Sequence, residues 1–359
     1  MTGRAVCRLS AGDGMPLIRR QRYAAYPQAT ILTFPPRFGI IWGVGKGLIC
    51  TAHMEKMREN AMERKFILSC GSTVDLPYSY VQSRDIPVIF YSYTIADQEY
   101  VDDMERNAGA MDRFYAQLAS GGALPHTSQI NESAYVDFFE EQLQKGDLLH
   151  LAFGSGMSAS VNNAMRAAEQ LREKYPDRRI IVVDSLCSSS GYGLLMDYAA
   201  DMRDAGATIE ETEKWLLENR NRVHHQFFST DLTFFRRSGR VSGAAATLGA
   251  ILGICPIMRL CDEGRIIAYD KVRGKKKAVA ETVRVMLAHA QGGADYDGKC
   301  FICHSACLEE AQALCAAVEK TFPRLQGKIR ICNIGTIIAS HSGPGTVAVF
   351  FMGDERTPE

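Results

Sequence analysis

The stretch from Leu148 to Ser185 restricts the fold more than any other part of the chain. Leu148-Leu149-His150-Leu151-Ala152-Phe153 is short and almost wholly apolar, as expected of a strand covered on both faces. Val161, Ala164, Met165, Ala168, Leu171 and Tyr175 then recur at the three-and-four spacing of a helix with one buried stripe. Arg179-Ile180-Ile181-Val182-Val183-Asp184-Ser185 carries a β-branched run that ends the pattern. Two strands joined through a helix are parallel and connected by a right-handed crossover. The segment therefore predicts a βαβ unit, and with it an α/β domain.

Between the first strand and the helix lies the turn Gly154-Ser155-Gly156-Met157-Ser158-Ala159-Ser160, and upstream is a second hydroxyl-rich stretch, Thr127-Ser128-Gln129. Peptide N–H groups at a helix start have no partner within the helix and sit at the positive end of its dipole, so such a turn suits an anion. Several uses are open. Gly154-x-Gly156-x-x-Ala159 fits the dinucleotide pattern G-x-G-x-x-A, with Asp184 ending the next strand where a ribose-binding acid would stand, which suggests a nucleotide-dependent oxidoreductase. Asp184 nevertheless lies beyond the usual spacing of about 20 residues. A serine hydrolase needs G-x-S-x-G around its nucleophile. Ser155 follows Phe153 by two positions and Ser158 precedes Ser160 by two, so neither serine has both glycines. The remaining uses are a carboxylate held by hydroxyls and the helix terminus, or plain capping of the helix by Ser158 or Ser160.

Motifs elsewhere bear on the choice. Ile67-Leu68-Ser69-Cys70-Gly71-Ser72-Thr73-Val74-Asp75-Leu76-Pro77 is similar to the opening strand and turn of DegV family proteins. In order along the chain, Tyr100-Val101-Asp102, Thr127-Ser128-Gln129, the Gly154 turn, Val183-Asp184-Ser185, Arg237-Ser238-Gly239-Arg240, Lys271 to Lys277 and His341-Ser342-Gly343-Pro344-Gly345 also resemble that family's motifs. The resemblance spans residues 66 to 352. It implies a two-domain fatty acid-binding protein with the ligand in a tunnel. The carboxylate contacts it implies are Thr127 and Ser158, with Ser155 adjoining and His341 close by. It further implies a carrier that presents the acid to the catalytic subunit of a fatty acid kinase for acyl-phosphate formation, with Arg240 contacting the phosphorylated head group or the kinase. No catalytic residue, metal or cofactor is expected of this chain itself. Three positions depart from the pattern: Gly71 replaces the usual Asp, Gly154 replaces one of a serine pair, and Ala159 replaces a Gly.

The expected architecture is an α/β first domain over 66–225 with a parallel sheet, an α+β second domain over 226–353, the lipid tunnel between them, and a tail over 354–359. Thr208-Ile209-Glu210-Glu211 reads as a capping box opening a helix with Trp215 and Leu216 on its apolar face. Ala244 to Ile254 is small and apolar up to Pro256, either lining the tunnel or forming an ordinary buried helix. Ile257 to Leu260 and Arg265 to Tyr269 flank Asp262-Glu263-Gly264, which predicts a hairpin. At 359 residues and 46% apolar content the chain can support two cores.

Charge argues against nucleic acid as a partner: 41 basic residues balance 41 acidic ones, so Arg273-Gly274-Lys275-Lys276-Lys277 reads as a solvated face. Docking to an acidic partner or, transiently, to phospholipid head groups stays open for it. Cys300-Phe301-Ile302-Cys303-His304 matches the haem-attachment pattern, yet Phe301-Ile302 reads as buried strand. Eleven cysteines, an odd number, fit a reducing cytoplasm better than a disulfide framework. Residues 1–65 read as a poorly ordered extension, as upstream sequence before a start at Met54, Met57 or Met62, or as a transit segment. The apolar run from Phe38 to Cys50 is interrupted by Lys46 and falls short of the ~20 residues that span a bilayer, so no integral membrane contact is expected.

Overall fold

The computed structural model describes residues 66–119, 123–241 and 253–358, which belong to one compact unit. The segment 1–65 and nearly all of the apolar run from Ala244 lie outside the described residues.

The first seven strands are β1 (Ile67–Gly71), β2 (Val88–Ile89), β3 (Ser92–Ile95), β4 (Gln98–Val101), β5 (His126–Ser128), β6 (Leu148–Ala152) and β7 (Ile180–Asp184). β2, β1, β6 and β7 lie in that order in a sheet whose pairs are all parallel. The β6–helix–β7 unit has the predicted form, with Leu148 opposite Ile180 and Ala152 opposite Asp184. Every residue of β6 is buried, which is why its sequence shows no polar alternation.

The crossover helix, Ser160–Lys174, buries Val161, Ala164, Ala167, Ala168 and Leu171. Met165, expected on the buried stripe, is instead 42% exposed. Each residue turns about 100° from the last, and with Ala164, Ala167 and Ala168 fully buried, Met165 falls off the contact face. β4, β3 and β5 form a separate antiparallel sheet.

The remaining strands are β8 (Val223–Ser229), β9 (Ile254–Leu260), β10 (Ile266–Arg273), β11 (Cys300–His304), β12 (Arg330–Asn333) and β13 (Thr346–Met352). They form a mixed sheet in the order β10-β9-β8-β13-β11-β12, antiparallel except for the β11–β12 pair. Helix Ser189–Asp204 packs against β1 of the parallel sheet and against β8, β11 and β13 of the mixed one. Twelve of its residues are buried, as a helix enclosed between two layers requires. The architecture is α/β, with a parallel sheet early in the chain and a mixed sheet later.

Two local expectations hold in detail. Thr208 accepts from the Glu211 N–H while the Glu211 side chain accepts from the Thr208 N–H, a complete capping box. The hairpin around Asp262-Glu263-Gly264 is present and longer than its sequence pattern, pairing from Leu260 opposite Ile266 out to Ile254 opposite Arg273. Pro256 does not end the preceding segment as expected. It sits within β9 beyond the last pair with β8, where its missing N–H leaves no ladder bond unmade. The basic run falls at the end of edge strand β10 and the first turn of helix Lys275–His289, with Lys275 paired to Glu310.

β11 is buried at all five positions. Cys300 and Cys303 lie three residues apart in a strand of period two and so face opposite sides, a geometry unfit for two thioether bonds to one haem. All nine described cysteines are free thiols. No described helix is long and apolar enough to cross a membrane.

Candidate functional site: an apolar cleft with a polar end

A cleft of ≈ 500 Å³, counted out to its open mouth, has Thr127, Ser158, Arg240 and His341 in its lining together with Phe153, Met157, Phe235 and Ile338. Four of the five site residues expected from sequence thus converge. Ser155 is the exception: it is exposed on the same turn, and its N–H donates to Asp184 Oδ1 at 3.0 Å. The convergence depends on distant elements. Thr127 is placed by β5, opposite Tyr93 of β3, and His341 by helix Thr336–Ser342. Ser158 follows β6, whereas Arg240 follows the short helix Thr233–Arg237.

Thr127 Oγ1 and His341 Nε2 share a hydrogen bond of 2.7 Å. Burial, and secondarily the neighbouring Arg240, pushes the His341 imidazole down to about 4, so it is neutral at pH 7. Its Nδ1 is buried and has no hydrogen-bond partner among the described residues. Arg240 is half-buried, and the same desolvation lowers its guanidinium from the usual range. The polar end therefore combines a cation, a neutral imidazole and two hydroxyls, a set that suits a monoanion.

The turn after β6 is closed to a dinucleotide. A Cβ on Gly156 would lie 2.5 Å from the Glu263 carbonyl oxygen, and one on Gly154 would lie 2.8 Å from the Cys187 backbone. The space that a pyrophosphate would need beside these glycines is filled by the β9–β10 turn and by residues 186–187. Asp184 Oδ1 accepts from both Ser155 N–H and Leu186 N–H, each at 3.0 Å, and is committed to holding the turn. Ser158 Oγ accepts from Ser160 N–H at 3.2 Å, so this serine caps the turn locally while it also lines the cleft. The departures from the sequence pattern have local causes. A Cβ on Gly71 would meet the Tyr91 ring at 2.9 Å, so Tyr91 occupies the space an aspartate side chain would need. At Gly154 the obstacle is backbone, which leaves no room for serine.

A second cavity of ≈ 410 Å³ adjoins the cleft, sharing Ser188, Phe235, Ile266, Ile338 and Ser342 with it. Its other walls include Phe227, Ala348 and Phe350 of the mixed sheet. His225 also lines it, satisfied by the Ser188 N–H at 3.1 Å and the Val223 carbonyl at 3.0 Å, and burial holds it neutral. Sequence reasoning missed this second chamber. The hydroxyl run Ser188-Ser189-Ser190 after β7 was the available signal, since ligands of parallel sheets gather at the carboxyl ends of the strands.

Two buried carboxylates support the site from behind. Asp75 accepts from Ser189 Oγ, and Asp102 accepts from Thr336 Oγ1 at 3.0 Å, tying down helices Ser189–Asp204 and Thr336–Ser342. Burial pushes Asp75 well above the usual carboxylate range and Asp102 to about 6.

The chain is similar in sequence and in fold to known proteins. The DegV family model matches residues 68–354. A DegV domain-containing protein of Clostridium perfringens is 36% identical over 296 residues, covering 82% of this chain and all of its own. The structure of a fatty acid-binding DegV family protein from Thermus thermophilus is similar with TM-score 0.71 at 26% identity, covering 80% of this chain and 99% of that one. The fatty acid kinase B3 protein of Streptococcus pneumoniae, loaded with linoleic acid, shares the fold with TM-score 0.69 at 19% identity, covering 81% and 100%.

Proposed function

Because the chain belongs to the DegV family, we propose that it binds a long-chain fatty acid and presents the carboxylate to a separate fatty acid kinase in the cytoplasm. The observation that carries this reading is the convergence of Thr127, Ser158, His341 and Arg240 on one end of a largely apolar cleft that continues into a second apolar chamber. The acyl chain fills the apolar run. Burial of each methylene contributes about 0.8 kcal/mol, so roughly fifteen supply on the order of 12 kcal/mol before ordering costs.

The carboxylate is the expensive end, because an ionised group leaving water must be hydrogen-bonded. Thr127 and Ser158 donate their hydroxyl protons to it, and the neutral His341 orients Thr127 through the bond they share. Arg240 offsets the charge, and it also faces the phosphorylated head group or the kinase once transfer has occurred. Ser155, on the exposed side of the turn, meets the head group only from outside. In the transfer, a carboxylate oxygen attacks the terminal phosphorus of a nucleoside triphosphate held by the kinase, the nucleoside diphosphate leaves, and an acyl phosphate remains on this chain. The chain acts as carrier and positions the nucleophile.

Native mass spectrometry of the purified protein, followed by solvent extraction, tests the reading. A fatty acid at near one-to-one occupancy supports it, and a delipidated protein that takes up a nucleotide and no fatty acid overturns it.

A further inference from the structure

His224 on β8, His289 at the C-terminal end of helix Lys275–His289 and Asp354 just past β13 converge although they come from three separate elements. His224 Nε2 and His289 Nδ1 lie 2.9 and 3.0 Å from the same oxygen, Asp354 Oδ1, and the three donor groups lie within 4.8 Å of one another. The two imidazole rings stack with centroids 5.1 Å apart, and His224 stacks in turn on Phe351. None of the three lines the cleft or its second chamber.

The backbone holds this corner in place. Asp354 N–H donates to the His289 carbonyl at 3.1 Å, Gln291 N–H to Met352 at 3.1 Å, and Gly353 N–H to Arg222 at 2.8 Å. Glycine is needed at 353, because a Cβ there would stand 2.9 Å from His224 Nε2 and would also collide with the His289 carbonyl oxygen. The donors are therefore positioned by a strand, a helix end and a stitched strand terminus, the kind of rigid support that a metal site requires.

We propose that His224, His289 and Asp354 form a binding site for a divalent metal ion of the zinc class, a site that staples the end of β13 to helix Lys275–His289 and β8. Two imidazoles and one carboxylate suit borderline divalent ions, and zinc takes such ligands at about 2.0–2.2 Å in tetrahedral geometry. Tetrahedral ligand atoms then stand about 3.3 Å apart, so the two edges that meet at Asp354 Oδ1, 2.9 and 3.0 Å long, open by a few tenths of an ångström around an ion. His289 and Asp354 are 41% and 59% exposed, which leaves the fourth position to water. His224 Nε2 also lies 3.0 Å from the Asp354 carbonyl oxygen. On metal capture the Nε2 lone pair takes the ion and the ring proton moves to Nδ1, with no net change in protonation.

The staple reaches the rest of the tail. Two residues beyond Asp354, Arg356 is buried and donates to the Leu186 carbonyl at 2.9 Å and to Asn221 Oδ1 at 3.0 Å. The Thr357 carbonyl then accepts from Asp262 N–H in the hairpin turn that closes on Gly156. Binding that favours the folded state raises the unfolding temperature by mass action.

The test uses the full chain, stripped with chelator and dialysed. Zinc is titrated by calorimetry and cobalt(II) by visible absorption into wild type, His289→Ala and Asp354→Asn. The expected result is one equivalent of metal, a cobalt spectrum of four-coordinate nitrogen and oxygen ligation, and a zinc-dependent rise in unfolding temperature. Both variants lose roughly 100-fold in affinity and lose the zinc-dependent rise. Their metal-free unfolding temperatures stay near that of wild type, because both altered side chains are substantially exposed. The variants keep every cysteine, so metal held by thiols would survive in them. Wild-type affinity in both variants, a thiolate-to-cobalt charge-transfer band, or no saturable binding to wild type overturns the proposal.

Discussion

Replacing Thr127 by valine keeps the shape of the side chain and removes its hydroxyl, the only change needed to weigh the proposed carboxylate contact. The bond to His341 is short, 2.7 Å, and the other ring nitrogen of His341 has no partner among the described residues. Two effects follow. In the empty protein, Thr127→Val leaves the half-buried imidazole without a partner, which costs about 1–3 kcal/mol of folding stability. In the complex it also removes one hydrogen bond to an ionised carboxylate, worth about 1.5–3 kcal/mol, or roughly a 10- to 150-fold rise in Kd. The assay is displacement of a fluorescent fatty acid from delipidated protein, with urea unfolding run in parallel. Thr127→Ser restores the hydroxyl and should recover most of both losses. An affinity for Thr127→Val within twofold of wild type, or an equal loss in Thr127→Ser, would refute the assignment of this hydroxyl to the carboxylate.

Other expectations are equally specific. Asp102 has its folded pKa raised to about 6 from 3.8, so its contribution to stability is fully present below pH 3.8 and is lost as pH rises through about 6. Wild type should therefore lose about 3 kcal/mol relative to Asp102→Asn between pH 3.5 and pH 7, read by urea unfolding, and parallel curves would contradict the buried carboxylate. Gly156→Ala drives a methyl into the Glu263–Gly264 backbone, which cannot yield as a side chain could, and should destabilise by about 1–3 kcal/mol while loosening fatty acid binding. An unchanged urea midpoint would mean that the hairpin does not rest on this turn. Among the described cysteines, the half-buried Cys307 and Cys315 should be alkylated in native protein well before the seven buried ones, as followed by peptide mapping. Early labelling of Cys300 or Cys303 would contradict the buried position of β11.

Local pattern determined a good part of this molecule. The β6–helix–β7 unit, the Thr208–Glu211 capping box and the β9–β10 hairpin are each specified by residues within about one element of one another, so periodicity and turn chemistry suffice to predict them. The family motifs marked the polar end of the cleft through Thr127, Ser158, Arg240 and His341, although single residues in a sequence carry no distance between them. Tertiary structure alone decided the rest. The Thr127–His341 bond joins residues 214 positions apart, and it exists because β5 and helix Thr336–Ser342 are packed together. Met165 is 42% exposed because the helix turns Ala164, Ala167 and Ala168, and not the larger side chain, toward the interior. Asp184, which in sequence matched a ribose-binding acid, is committed to the turn amides, and Gly154 and Gly156 make room for the protein's own backbone where a dinucleotide pattern would have made room for phosphate. The physical reason is the same throughout: periodicity reports how a segment meets its immediate layer, whereas the partner of a polar group is set by which distant segments the folded layers bring within hydrogen-bonding reach.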